Sequence, residues 1–155
     1  KVLQVVSFIE NDPKSVTGTT FQAIPDFTLS ITPSSTSSKI LVQVNLTIGG
    51  GSSDVYNIFK LTRGGSVISD TVATNTVGSC VAGSWSNNVY YSTELHTTSY
   101  TYLDSPSSTS ALAYAVQVRP MGTVSRTFYL NRPSNTDDSN RGAGTSTITL
   151  MEIAG

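Results

Sequence analysis

The chain has 155 residues, a formal net charge of -1 and 12% charged side chains, about half the usual charged share. Hydroxyls stand where charge would: 24 Ser and 22 Thr, beside seven Tyr, five Phe and one Trp. This balance gives no electrostatic reason to expect nucleic acid or an anionic membrane. It offers no run of the roughly 18 apolar residues that span a bilayer, and so many rings argue against disorder.

Strand-like segments follow one another, separated by turn chemistry. They read as Val2–Ile9, Thr19–Ile24, Phe27–Ile31, Lys39–Ile48, Val55–Arg63, Val67–Thr71, Asn87–Leu95, Ser99–Asp104, Ala111–Arg119, Ser125–Asn131 and Thr145–Ile153. In Lys39–Ile48 the residues Ile40, Val42, Val44, Leu46 and Ile48 alternate with Leu41, Gln43, Asn45 and Thr47, the period of a half-buried strand. Leu112, Tyr114, Val116 and Val118 repeat the design, as do Ile148 and Leu150. Apolar residues do not recur at helical spacing, and Ser and Thr are poor helix-interior residues. Many short strands at such intervals predict an all-β antiparallel sandwich, jelly roll or barrel, in one domain spanning residues 1–155.

The stretch PSSTS occurs twice, at Pro33–Ser37 and Pro106–Ser110, each time just ahead of a clean strand. Proline stops a ladder because it cannot donate to it. Serine and threonine then bond their own backbone in tight turns. With no glycine or charge excess around it, the repeat reads as a loop used twice in one fold, not as a linker.

Catalytic chemistry finds little to work with. The one histidine, His96, falls between expected strands, and there is no nucleophile elbow. The one cysteine, Cys80, excludes an internal disulfide. The acidic pair Asp137–Asp138 lacks the spacing of a calcium loop. These residues imply neither a cofactor nor a metal site, and no enzyme.

Binding chemistry is better represented. In Ser84–Tyr91, Trp85, Tyr90 and Tyr91 lie beside the amides Asn87 and Asn88. Flat rings next to directional hydrogen-bonding groups are what a sugar-binding surface needs. The later strands also hold Tyr100, Tyr102, Tyr114, Phe128 and Tyr129, more rings than one small core comfortably places. A face of such rings would pack against copies of the chain about a symmetry axis.

Three stretches carry a resemblance: Phe27–Val42, Tyr102–Arg119 and the ending Ser146–Gly155. They look like the C-terminal domains of tail-fibre and other virion surface proteins of bacteriophages. The likeness runs over nearly the whole chain and is loosest between Gly64 and Thr98. It implies a jelly roll similar to tumour necrosis factor and the complement head, assembled as a homotrimer, at the end of a longer fibre protein. It further implies a non-enzymatic module on the surface of the extracellular particle, whose partners are its own copies, a host-surface glycan or protein, and other virion proteins. A purely architectural capsid, neck or decoration role is the alternative. Neither nucleic-acid binding nor membrane insertion is expected.

Overall fold

The computed structural model describes residues 1–51, 55–74, 81–89, 91–121, 124–136 and 142–155. Its strands are β1 (Val2–Glu10), β2 (Lys14–Gly18), β3 (Gln22–Ile31), β4 (Lys39–Gly49), β5 (Val55–Arg63), β6 (Ser66–Val67), β7 (Trp85–Val89), β8 (Leu95–Asp104), β9 (Leu112–Pro120), β10 (Arg126–Leu130) and β11 (Ser146–Ile153). A 3-10 turn, Ser69–Thr71, follows β6. Two antiparallel sheets pack together as an all-β sandwich.

In the first sheet β4 pairs along one flank with β8, from Ile40 opposite Asp104 to Gly49 opposite Leu95. Its other flank is shared, with β11 taking Lys39 to Asn45 and β10 taking Ile48 and Gly49. Beyond these lie β1, paired to β11, and β2, paired to β10. So β10 and β11 are two stretches of one line, and β1 and β2 two stretches of the next. In the second sheet β9 lies between β3 and β5, and the far flank of β5 takes β7 and β6. Counting collinear stretches once, the described strands form eight lines, ordered 1-8-3-6 in the first sheet and 2-7-4-5 in the second.

The two interruptions in the first sheet sit side by side, and Asn131 holds both. Its backbone is left-handed at φ 63°, which asparagine tolerates better than most residues. Its Nδ2 donates to the carbonyls of Glu10 (2.8 Å) and Asp12 (3.1 Å), while its Oδ1 accepts from Ser146 Oγ at 2.7 Å. One buried amide thereby satisfies groups that the broken ladders would orphan.

The alternation read from sequence is the alternation of burial. Ile40, Val42, Val44, Leu46 and Ile48 all face the core, with Val116, Val118, Ile148 and Leu150 opposite or beside them. Fully burying one such side chain contributes about 1.5–3 kcal/mol. Phe27, Phe59, Phe128 and Tyr114 fill the widest spaces.

Several expected boundaries move. Residues 19–21 are not strand; β3 starts at Gln22 and runs through Pro25 to Ile31, with its register to β9 slipping between Ala23 and Thr28. The strand expected at Val67–Thr71 ends at Val67, and Ser69–Thr71 coils into the 3-10 turn. Asn87–Leu95 divides into β7 and the start of β8, because Tyr91 and Glu94 close a turn with a Glu94 N–H to Tyr91 carbonyl bond of 3.2 Å. His96 therefore lies within β8, not between strands.

Both PSSTS segments cross from one sheet to the other, and at the same end of the sandwich. Loop 32–38 leaves β3 at Ile31, which faces Leu112 at the start of β9. Loop 105–111 leaves β8 at Asp104, which faces Ile40 near the start of β4. The repeat is one corner used twice.

Candidate functional site

The ring-and-amide stretch is built on β7, an edge strand of the second sheet paired only to β5 among the described strands. A strand alternates its faces, and that splits the expected set. Trp85 and Asn87 share the inward phase with buried Val89, whereas Ser86 and Asn88 point outward. Tyr91, an exposed ring, stands past the far end of the strand, and Tyr90 lies outside the described residues. The five residues do not form one surface.

Trp85 is also unavailable for stacking on a ligand. Its ring lies between Phe59 (centroids 5.0 Å, planes 17° apart) and Tyr100 (4.6 Å, 5°). Tyr100 belongs to β8 of the other sheet, so this stack bolts the two sheets together along one open side. Such pairs contribute about 0.5–1.5 kcal/mol each beyond burial. Trp85 also lines a small cleft of about 190 Å³ with Ile58, Ala73, Val81, Gly83 and Ser86. Among the described residues, the indole Nε1 and the Oδ1 atoms of Asn87 and Asn88 are buried and have no hydrogen-bond partner.

The five rings expected at an interface between copies are mostly turned inward. Tyr114 and Phe128 are fully buried, Phe128 edge-on to Phe59 at 5.8 Å, so neither has surface left for a neighbour. Tyr114 donates through its hydroxyl to Asp104 Oδ2 at 2.6 Å, and burial, reinforced by that bond, pushes its ionisation far above the ordinary phenol range. Tyr100 and Tyr102 share the inward phase of β8 and pack on the core; burial raises both hydroxyls. Tyr129 does face outward, with the Arg132 guanidinium 4.8 Å over its ring.

One row on the outward face of the first sheet is aliphatic. Val5 pairs with Met151, Met151 with Leu41 and Leu41 with Leu103, so four apolar side chains form one row across all four lines. Val5 is 54% exposed and Leu103 45%. The next row in register is Ser7, Thr149, Gln43 and Thr101, all polar. The sequence carries the signal, since Leu41 and Met151 break the polar phase of their strands.

Two carboxylates are buried at the PSSTS end. Glu152 Oε1 accepts from the backbone N–H of Ser34 (2.7 Å), Ser34 Oγ (2.6 Å) and Ser38 Oγ (2.7 Å), and its Oε2 accepts from Gln4 Nε2 (2.8 Å). Hydrogen bonds from Ser34 and Ser38 lead in pushing its pKa down to about 2. Asp104 is paired with Arg63 and with Tyr114.

Reactive groupings are sparse. His96 Nε2 lies 3.2 Å from Glu94 Oε2 on the surface. A polar cleft of about 430 Å³ lies over the break between β1 and β2, where Lys14 bridges Asp26 (3.0 Å) and Glu10 (3.5 Å). Among the described residues no group of three or more His, Cys, Asp or Glu is placed to hold a metal. Cys80, Asp137 and Asp138 lie outside the described residues. No protein-family model matches the chain, and no curated protein matches it as a relative.

Proposed function

We propose that this chain is the non-enzymatic head of a bacteriophage tail fibre or other virion surface protein, which assembles as a homotrimer and attaches the particle to a glycan or protein on the host surface. The order 1-8-3-6 against 2-7-4-5 is what a jelly roll of two four-stranded sheets would give, which supports the fold implied by the sequence resemblance. The observation that carries the proposal is the row Val5–Met151–Leu41–Leu103, extended by exposed Leu3 on the same strand. On a chain dressed in hydroxyls, a contiguous aliphatic strip marks a surface that another molecule covers. A copy of the same chain, packed about an axis, brings a matching strip. Several weak receptor sites on one assembly then act together through effective concentration.

Light scattering across a wide concentration range is expected to give three times the 16.4 kDa chain mass. Val5→Glu with Leu103→Glu should yield a folded monomer by circular dichroism. A wild-type monomer at every concentration would overturn the assembly. Labelled protein should adhere to host cells; its failure there, with binding to other virion proteins instead, would replace adhesion by an architectural role.

A further inference from the structure

We propose that the outward face of the second sheet, around Tyr56 and Arg119, is a binding site for an acidic saccharide; this rests on the adhesive reading above and gives it a ligand class. In β5 the residues Asn57, Phe59 and Leu61 are buried, so Tyr56, Ile58 and Lys60 share the opposite, outward pleat. The register then assembles the face. Tyr56 pairs with Asn88 of β7, Ile58 lies between Ser86 and Arg119, and Lys60 pairs with Gln117. Tyr56 is 56% exposed, and the Lys60 ammonium sits 4.1 Å over the Phe21 ring.

The charge on this face is one-sided. Among the described residues of β3, β5, β7 and β9 the one carboxylate is Asp26, and it is engaged by Lys14 of the other sheet. The Arg119 side chain makes no ion pair or hydrogen bond among the described residues, and its Nε is buried without an acceptor. Asn88 Oδ1, beside Tyr56, is buried without a donor. Buried polar atoms are nearly always paired, so among the described residues Arg119 and Asn88 stand out beside the exposed Tyr56 ring, and no described carboxylate engages the guanidinium.

The chemistry selects that partner. A guanidinium offers a planar fork to a carboxylate or sulfate. The tyrosine ring offers an apolar platform with a polar tip to a pyranose, and Ser86, Asn88 and Gln117 suit sugar hydroxyls. Two cations on a chain of net charge -1 are too few to track a polyphosphate backbone. The 190 Å³ cleft shares Ile58 and Ser86 with the face, giving a small apolar substituent somewhere to go.

The purified chain would be titrated against immobilised polyuronate and polysialic acid, against the same polymers after carboxyl reduction, against single-stranded DNA, and on host cells. Wild type should bind an acidic polymer and lose it on carboxyl reduction. Arg119→Ala should weaken binding at least tenfold, Tyr56→Ala about as much and Tyr56→Phe little, all with unchanged melting temperature. Equal binding to the reduced polymer, or tighter binding to DNA, would overturn the assignment. Cell adhesion that Arg119→Ala leaves intact also overturns it, while adhesion itself survives. Arg119-dependent polymer binding without cell adhesion upholds the site and removes the adhesive role.

Discussion

The two PSSTS corners begin from the same five letters and are held in different ways. In the first, the loop is wrapped around a carboxylate: Ser34 and Ser38 give three hydrogen bonds to Glu152, and Ser38 N–H closes on Ser35 carbonyl at 3.1 Å. Pro33 and Ser38 are buried. In the second, the buried carboxylate is Asp104, the residue just before the loop, and it is held by Arg63 and Tyr114 from the opposite sheet. The loop itself keeps one internal bond, Ser110 N–H to Ser108 Oγ at 3.0 Å, stays largely exposed, and carries Ser107 at φ 50°. A hydroxyl-rich turn is thus not self-sufficient at either corner. Each sheet crossing is pinned by an acid on a strand, and only in the first do the loop's own serines do the pinning.

The strongest way to break this contrast is at Asp104. Asp104→Ala would leave a buried tyrosine hydroxyl and a half-buried guanidinium without their acceptor. Losing one partner of a buried pair costs 3–5 kcal/mol; with the Arg63 side chain 33% exposed, about 3 kcal/mol is expected. Urea unfolding measures it, and the loss should fall on the whole fold, since Asp104 joins the sheets rather than the loop. The first loop should keep its protection in amide exchange until global unfolding.

Acid separates the corners more selectively. The Glu152 carboxylate is held down to about 2, chiefly by Ser34 and Ser38, below its ordinary value near 4.5. A depressed acid contributes stability that is fully present above the unfolded value and is lost as pH falls from there through about 2. Amide exchange at Ser34 should therefore accelerate between pH 4.5 and 2 relative to exchange at Ser110. In Glu152→Gln that pH dependence should vanish, because the amide does not titrate. A Ser34 amide that loosens in parallel with Ser110 would mean that the carboxylate does not govern the corner.

Much of this architecture was legible and the rest was hidden for definable reasons. β4, β9 and β11 announce themselves by strict alternation, and their apolar phase is the core. β2 was invisible because Lys14–Gly18 has one inward apolar residue, Val16; the strand exists because β10 offers it a ladder from Lys14 to Gly18. The phase of β8 was ambiguous since Ser and Thr populate both faces, so Tyr100 and Tyr102 gave no sign that they point inward. Trp85 reads as a binding residue in one dimension; only the approach of β8 shows that both its faces are taken. The proposed saccharide face was illegible for the same reason, because Tyr56, Asn88 and Arg119 meet only through pairings across three strands.

The finest test compares the serines themselves. Ser38 is buried and its hydroxyl donates to an ionised carboxylate at 2.7 Å, so Ser38→Ala removes a charge-assisted bond from a site water does not easily refill. Because Glu152 keeps three other donors, the expected loss is about 1 kcal/mol, below the range for a charged group left bare. Ser108 contributes only an acceptor for one loop amide that solvent also reaches, and Ser108→Ala should change stability by less than about 0.5 kcal/mol. Equal losses at the two positions would show that the corners are held alike and that the shared PSSTS letters, not the neighbouring acids, set their strength.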